Sequence, residues 1–267
     1  MTRLSSAQAI DARKAQGASA FIGYLPVGYP NLERSIEAVE TLARAGADII
    51  ELGLPYSDPT MDGPIIQKAV DVALEGGFRI ADIFPAVEAC ANAGAVPLVM
   101  TYYNPLFKYG VDNFARDFAN AGGAGLITPD LIPEEAGDWI AASDAHDLER
   151  IFLVAQSSPA QRLEMISQVS RGFVYAASTM GVTGTRENID ERARGLVERT
   201  RAAGAERVCI GIGVSTPEQA REVATYSDGV IVGSALVHVL FDDEWDAALY
   251  NLHAIAEGLA AAAHGES

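Results

Sequence analysis

The stretch DIIELGLPYSDPTMDGP, residues 48–64, passes from a strand pattern through a loop to the start of a helix. Ile49 and Ile50 form a short apolar run, which favours a buried strand, and the run ends at the carboxylate Glu51. Glycine, proline and serine then predict a loop that contains two more acids, Asp58 and Asp62. A carboxylate at the end of an apolar strand is costly to bury unless it has a partner or a task. The stretch therefore bears on function as well as on fold.

The same strand and helix pattern recurs along the whole chain. Eight short apolar runs predict strands: AFIGYLPVG from Ala20, DIIELG from Asp48, VPLVMTYY from Val96, AGLITPD from Ala124, IFLVAQ from Ile151, FVYAAS from Phe173, RVCIGIG from Arg207 and GVIVGS from Gly229. The segments between them have helical periodicity, as in NLERSIEAVETLARAGA. Alternating strands and helices favour parallel pairing with right-handed crossovers. Eight such units in 267 residues predict an α/β fold, a single (βα)8 TIM barrel over residues 1–267.

The lengths of three other segments predict additional helices. These segments are residues 4–16, residues 67–95 between the second and third strands, and the chain from residue 243 onward. The alternative is an open doubly wound sheet, which usually has a dinucleotide-binding fingerprint after its first strand. No GxGxxG motif occurs in the sequence, so the barrel is preferred.

The composition predicts a folded cytoplasmic protein and excludes several classes. Hydrophobic residues make up 49% of the chain, and the formal net charge is −17. A nucleic acid or an anionic membrane would require a basic face, so neither is an expected partner. Cys90 and Cys209 lie far apart and suggest neither a disulfide framework nor a thiolate zinc site. The N-terminus lacks the apolar segment of a signal peptide, and no apolar run is long enough to cross a bilayer.

In a barrel of this type the active site lies at the carboxyl ends of the strands. Glu51 closes the second strand, and Asp62 follows in the adjoining loop, so both are candidate catalytic groups. A single acid in a loop more often forms a turn or caps a helix, which is the default interpretation of Asp58. Asp130, after the fourth strand, is intermediate between a candidate functional acid such as Glu51 and a turn residue such as Asp58.

Glycine-rich loops after the last three strands predict a phosphate site. Gly211 and Gly213 follow the seventh strand, and Gly233 and Ser234 follow the eighth, each pair before a predicted helix. Glycine lets a phosphate approach the backbone, and the free N–H groups of a helix start supply donors. The loop after the sixth strand, MGVTGTREN, contains Gly184 and has a composition suited to a lid.

The sequence lacks the residue patterns that several other kinds of active site require. The four histidines lie in predicted helices or in the tail, so neither a His-dependent triad nor a His-rich metal site is expected. No Walker loop occurs, and no lysine closes a strand, which argues against a Schiff-base aldolase. The remaining expectation is a site without metal or cofactor, built from two carboxylates and a phosphate cradle.

Several motifs together resemble the tryptophan synthase α subunit family. They are ELGLPYSDPTMDGPIIQ, TYYNPLFKYG, PDLIPEE, YAASTMGVTGTREN, GIGVSTPEQ and IVGSALV, in this order along most of the chain. The resemblance implies the retro-aldol cleavage of indole-3-glycerol phosphate to indole and glyceraldehyde 3-phosphate in L-tryptophan biosynthesis. It implies that Glu51 is the acid/base group and that Asp62 faces the indole N–H.

The resemblance also implies further site residues. The phosphate would lie among Gly184, Gly211, Gly213, Gly233 and Ser234. Tyr24, Met100 and Tyr175 would lie near the substrate, and Thr183 would help close the site over Asp62. Tyr24 occupies a position where the family often has Phe.

The resemblance implies a β-subunit partner in an α2β2 complex, and pyridoxal phosphate is then expected only in that partner. The residues implied at the interface are Asp58, Pro59, Asn104, Phe107 and Asp130. Three other readings stay open: a stand-alone indole-3-glycerol phosphate lyase that releases free indole, a silent subunit that binds the ligand, and another phosphate-binding barrel enzyme. The sequence departs from the family pattern at Tyr29, at Thr60 with Met61, and at Thr179 with Met180. These departures bear on the loop contacts and on coupling to the partner.

Overall fold

Parallel strands form a ring in the computed structural model, which describes residues 4–177, 186–211 and 213–266, without the side chains of residues 186–190. The strands of these residues are β1 (Ala20–Pro26), β2 (Ile49–Gly53), β3 (Val96–Met100), β4 (Gly125–Ile127), β5 (Glu149–Ile151), β6 (Leu153–Ala155), β7 (Val174–Ala177), β8 (Val208–Gly211) and β9 (Gly229–Val232). Their order is β5-β4-β3-β2-β1-β9-β8-β7-β6, and all pairings between neighbours are parallel. The predicted TIM barrel is confirmed.

One predicted strand is divided into two. The run expected from Ile151 begins at Glu149 instead and is interrupted at Phe152, which gives β5 and β6. β5 pairs with β4, whereas β6 pairs with β7. Neighbouring strands in a barrel are staggered along their length. The first half of this run therefore pairs with the strand on one side, and the second half pairs with the strand on the other side. The chain itself therefore closes the ring between β5 and β6.

Helices surround the barrel. They are α1 (Ser6–Ala15), α2 (Leu32–Arg44), α3 (Pro64–Glu75), α4 (Ile83–Asn92), α5 (Tyr103–Tyr109), α6 (Val111–Asn120), α7 (Gly137–Ala145), α8 (Ala160–Val169), α9 (Arg186–Ala202), α10 (Pro217–Ala224), α11 (Ser234–His238) and α12 (Trp245–Ala263), with short 3-10 turns at Ile80–Asp82, Pro133–Glu135 and Val239–Phe241. The three predicted additional helical regions contain α1, the pair α3 and α4, and α12. None of the helices in the described part of the chain is long and apolar enough to span a bilayer.

The start of α10 illustrates how the sequence sets a helix boundary. Thr216 caps the helix, because its side-chain oxygen accepts a hydrogen bond from the Gln219 N–H. The Gln219 side chain accepts in turn from the Thr216 N–H, and Pro217 occupies the first turn, where its missing N–H costs nothing.

Two apolar clusters stabilise the fold. The cluster inside the barrel includes Ile22, Ile49, Leu98, Phe173 and Cys209, and the cluster between the sheet and the helices contains Trp139, Phe114 and most buried leucines. Because strand side chains alternate between the two faces, every second residue of each strand points into the barrel.

The amino ends of the strands are closed by α1 and by buried ion pairs. The Glu149 carboxylate accepts hydrogen bonds from the N–H groups of Ser6 and Ala7, so α1 lies across this end and Ile10 enters the interior cluster. The Asp48 carboxylate accepts from the Phe21 N–H at 2.8 Å and from Arg13 Nε at 2.7 Å. His264 Nε2 lies 2.8 Å from Oδ2 of the same carboxylate.

Replacing Asp48 by alanine should lower the free energy of unfolding by about 3 kcal/mol, because a largely buried Arg13 and the Phe21 N–H would lose their acceptor. Urea unfolding measures this change. The matched control is Glu40→Ala, which removes an exposed i,i+4 pair with Arg44 and should cost less than about 0.5 kcal/mol. Equal effects of the two substitutions would contradict the structural role of Asp48.

Candidate active site

The alternation of strand side chains brings six of the predicted site residues to the inner face of the barrel, near the carboxyl ends of the strands. Ile22, Ile49, Phe173, Cys209 and Ile231 all belong to the interior cluster, as does Leu98. The residues two positions further on are Tyr24, Glu51, Met100, Tyr175, Gly211 and Gly233, and they face the same way at the carboxyl ends of the strands. Tyr24 and Glu51 are direct neighbours in the pairing of β1 with β2. The barrel thus collects these residues around one mouth.

Glu51 is buried without a counter-charge. Its side chain is about 1% exposed, and its Oε1 atom has no hydrogen-bond partner among the described residues. Removal from water disfavours the charged form of a carboxyl group, and burial raises the pKa of Glu51 from its usual 4.5 to about 8. The group is therefore a neutral acid at pH 7 that sits close to its titration point.

Asp62 lies in the loop between β2 and α3 and is only half-buried. Burial raises its pKa as well, although the group is more open to solvent than Glu51. Its main-chain oxygen accepts a hydrogen bond from Gln67 Nε2 at 2.7 Å, which ties the end of the loop to α3. The two acids thus occupy different environments, one on a strand and one in a loop.

Two tyrosines complete the wall of the site. Burial raises the pKa of Tyr24 well above its ordinary value, and the nearby charges of Asp62 and Glu51 raise it further. The Tyr24 ring lies over Gly53, where an added Cβ would come within 2.6 Å of Cζ of the tyrosine. Tyr175 lies over Gly211 in the same way, since an added Cβ there would come 2.6 Å from its hydroxyl. Glycine at positions 53 and 211 leaves the space that the two tyrosine rings occupy.

The glycines predicted to hold phosphate lie on the neighbouring strand ends. Gly211 ends β8, Gly213 has a left-handed φ of 73°, and Gly233 directly precedes α11, which begins at Ser234. A Cβ added to Gly233 would come no closer than 3.6 Å to Tyr24, so the backbone here lies within ordinary contact distance of the tyrosine without crowding. The first N–H groups of a helix have no partner within the helix, so α11 directs donors towards this corner.

Comparisons with known proteins show the family of the chain. A family model described as tryptophan synthase alpha chain matches residues 10–264. The tryptophan synthase alpha chain of Bifidobacterium longum is 61% identical over 231 residues, covering 86% of this chain and 79% of that protein. That of Mycobacterium marinum is 54% identical over 251 residues, covering 94% and 91%. The chain belongs to the tryptophan synthase alpha chain family.

Solved structures support the same assignment. A tryptophan synthase structure from Mycobacterium tuberculosis matches with a TM-score of 0.90 and 51% identity over 97% of this chain and 98% of that chain. The alpha subunit from Legionella pneumophila matches with a TM-score of 0.88 at 29% identity, over 98% and 99%. The activity is accordingly that of a carbon–carbon lyase, which cleaves indole-3-glycerol phosphate to indole and glyceraldehyde 3-phosphate in L-tryptophan biosynthesis.

The residues that the family resemblance implies at a partner interface form one edge of the barrel mouth. Asp58, Asn104, Phe107 and Asp130 are exposed, and Pro59 is half-exposed. Asp130 also has a structural task, because its carboxylate accepts from the Tyr103 N–H at 3.0 Å and so stabilises the start of α5. The Asp58 carboxylate accepts a hydrogen bond from the hydroxyl of its neighbour Ser57.

The structure adds site residues that the sequence analysis missed. Tyr102 is buried and contacts the loop that carries Asp62, and Gly53 makes room for the Tyr24 ring. Ile66 in α3 approaches Gly233. The glycine in the ELG motif was the one signal of these residues in the sequence, because a glycine at a strand end often marks a place where another group approaches the backbone closely. Thr183 and Gly184 lie outside the described residues, so their predicted roles stay predictions.

The described residues hold no cluster of three or more His, Cys, Asp or Glu side chains that could bind a metal ion. Cys90 and Cys209 are both buried and free, and burial raises the pKa of the Cys209 thiol. The polar groups that the structure describes at the site are carboxyl groups, tyrosine hydroxyls and main-chain N–H groups.

The pKa of Glu51 predicts a pH-dependent stability. In the unfolded chain Glu51 ionises near pH 4.5, whereas in the folded protein it stays neutral up to about pH 8. Ionisation of the unfolded chain thus lowers the free energy of unfolding as pH rises through this window, by at most about 1.4 kcal/mol per pH unit. The Glu51→Gln variant lacks this term. Its stability relative to wild type should increase from pH 5 to pH 8 and then level off.

Urea unfolding of both proteins across this pH range measures the difference, with Glu75→Gln as the control on an exposed residue of α3. A constant difference between wild type and Glu51→Gln would mean that Glu51 ionises at its ordinary pKa in the folded protein.

Proposed function

We propose that this chain performs the cleavage with two carboxyl groups in separate roles. Glu51 transfers the protons, and Asp62 stabilises the charge that develops on the indole nitrogen. The buried, unpaired carboxyl of Glu51, with its pKa raised to about 8, is the observation that carries the proposal. Burial raises the pKa of both acids, but Asp62 is the more exposed of the two, and a difference in environment of this kind suits divided roles.

The reaction explains why an acid near neutrality is needed. Breaking the bond between indole C3 and the glycerol carbon leaves a poor carbanion unless C3 is protonated first. Glu51, neutral at pH 7, can donate its proton to C3. The resulting carboxylate can then accept the proton of the adjacent hydroxyl as the carbon–carbon bond breaks. The glycerol carbon becomes the aldehyde of glyceraldehyde 3-phosphate, the bonding electrons return to the indole ring, and Glu51 is neutral again.

Protonation at C3 places positive charge on the indole nitrogen. A carboxylate beside the N–H stabilises that charge as it develops, which is the role proposed for Asp62. Its half-buried position suits this role, because the group keeps more contact with solvent than Glu51 does and ionises more easily. The apolar side chain of Met100, on the same inner face of the barrel, is then available to the ring.

The phosphate of the substrate is proposed to bind at the corner formed by Gly211, Gly213, Gly233 and Ser234. The net charge of −17 disfavours an anion at long range, so the binding energy has to come from local donors. Main-chain N–H groups at the start of α11 supply them. Gly184, in the segment after β7, is proposed to join these residues around the phosphate, and Thr183 is proposed to help close the site over Asp62.

We also propose that the chain docks a β subunit through the loops after β2, β3 and β4. Exposed large apolar side chains are few among the described residues, and three of them lie in the segments that follow these strands. They are Met61 at 44% exposure in the loop after β2, Phe107 at 69% in α5, and Ile132 at 42% after β4. Apolar side chains grouped at one edge are typical of a protein interface. The stoichiometry is proposed to be α2β2. Pyridoxal phosphate belongs to the β subunit in this proposal, because the cleavage above needs proton transfers only.

Indole formation from indole-3-glycerol phosphate tests the two roles. Glu51→Gln should lower kcat by about 10²–10⁴-fold because it removes the proton-transfer group. Asp62→Asn should lower kcat by about 10²–10³-fold because it removes a charge that acts in the transition state. Asp71→Asn, on the exposed face of α3, is the matched control and should retain wild-type activity. Wild-type rates in Glu51→Gln would overturn the assignment.

The same assay with and without a β subunit tests the partner. Weak activity that rises when the β subunit is added, together with a mass of an α2β2 complex in solution, is the expected result. High activity that the β subunit does not change would favour a stand-alone indole-3-glycerol phosphate lyase. Activity in the partner alone, with none in this chain under any condition, would favour a silent subunit.

A further inference from the structure

The loop between β2 and α3, residues 54–63, has few attachments to the barrel. Leu54 N–H donates to the Met100 carbonyl at 3.0 Å, and Gln67 Nε2 donates to the Asp62 carbonyl at the other end. Between these points, the N–H groups of Thr60 and Met61 are the main-chain donors that have an acceptor among the described residues. The middle of the loop thus depends on whatever accepts these two hydrogen bonds.

Both N–H groups donate to one atom, the hydroxyl oxygen of Tyr102. Each of the two hydrogen bonds is 3.0 Å long. A tyrosine hydroxyl has lone pairs to accept and one proton left to donate, so it can take both N–H groups and still face a further acceptor. Asp62 follows Met61 directly in the chain, and the hydroxyl therefore fixes the main chain immediately before this acid.

Tyr102 is itself held in place on both sides. The Thr101 N–H donates to the Ile127 carbonyl at 3.0 Å, and the Tyr103 N–H donates to the Asp130 carboxylate. The Tyr102 ring is only 6% exposed and packs against the Tyr56 ring at a centroid distance of 5.2 Å. The anchor is consequently part of the rigid barrel end, although its target lies in a loop.

We propose that Tyr102 is a positioning residue, whose hydroxyl holds the Thr60–Met61 segment so that Asp62 is presented to the substrate opposite Glu51. The proposal rests on the proposed role of Asp62 and adds how that role is secured. Without the hydroxyl the loop would retain its two ends but lose its central attachment. Asp62 would then sample many positions, and the fraction of protein with the acid in the productive position would fall.

The electrostatics of Tyr102 agree with this geometry. Burial raises the pKa of Tyr102, the hydrogen bonds from the loop lower it, and the charge of Asp62 raises it again. The Asp62 carboxylate is thus near enough to influence the hydroxyl. A hydroxyl that stays protonated keeps one proton to donate towards this carboxylate.

Tyr102→Phe tests the proposal, because it removes the hydroxyl and keeps the buried ring. In the full-length chain, kcat for indole formation should fall by about 10- to 100-fold, the equivalent of two ordinary hydrogen bonds. KM should change much less, because the phosphate corner is untouched. The matched control is Tyr56→Phe, which removes the hydroxyl of the packed neighbour and leaves both N–H bonds to Tyr102 intact. It should keep the wild-type kcat.

A double-mutant cycle separates positioning from a direct role of Tyr102. In the Asp62→Asn background, Tyr102→Phe should change kcat by less than about twofold, because a hydroxyl that acts through Asp62 has nothing left to position. If the two losses multiply instead, Tyr102 acts independently of Asp62 and the proposal is overturned.

Hydrogen exchange followed by mass spectrometry gives a readout that needs no activity. In Tyr102→Phe, peptides that contain Thr60 and Met61 should exchange at least about tenfold faster, while peptides from β2 and α3 keep wild-type rates. Unchanged exchange at Thr60 and Met61 would overturn the proposal even if kcat falls. If wild type itself produced no indole, the proposed function would fail, yet the exchange experiment would still decide whether Tyr102 holds the loop.

Discussion

The rest of the site depends on the burial of one carboxyl group without a counter-charge. Glu51 closes β2 at the barrel mouth, has almost no contact with solvent, and has an oxygen with no partner among the described residues. Desolvation of this kind is unfavourable for stability, and strongly perturbed carboxyl groups cluster at functional sites. The surrounding strands provide the rigidity, because β1 and β3 pair with β2 on either side. The opposite end of the barrel provides stability, through α1 and two carboxylates with low exposure. Asp48 pairs with Arg13, and Asp228 pairs with Lys14 and Arg201.

The second acid, Asp62, is held in place by loop contacts rather than by a strand. Asp62 lies in a loop, so its position depends on a few contacts rather than on a sheet. The Tyr102 hydroxyl supplies the central contact, and Asp130 fixes the chain next to Tyr102. The same stretch of surface contains Met61, Phe107 and Ile132, the exposed apolar residues proposed to meet a partner. A partner bound there would touch the residues on either side of the anchor, so docking and the order of the Asp62 loop share one structural unit.

Much of this arrangement follows from the sequence, because local patterns report local structure. The alternation of apolar runs and helical segments predicted the barrel, and the period of two residues within strands explains why Tyr24, Glu51 and Met100 lie on its inner face. The division of the fifth strand at Phe152 was not predicted, since it depends on the stagger between neighbouring strands. The role of Tyr102 was missed for a related reason. Its partners lie about 40 positions earlier in the chain, and no local pattern reveals a contact at that separation.

The central claim is that Glu51 is a neutral acid in the folded protein at pH 7, and its titration can be observed directly. We would label the glutamate side chains with carbon-13 at the carboxyl carbon and follow their chemical shifts by NMR from pH 4 to pH 10, with Glu51→Gln to assign the signal. The account predicts one resonance, absent in the variant, that titrates at about pH 8. If the resonance missing from Glu51→Gln titrates near pH 4.5 in the wild-type protein, Glu51 is ionised at neutral pH and cannot be the proton donor to indole C3.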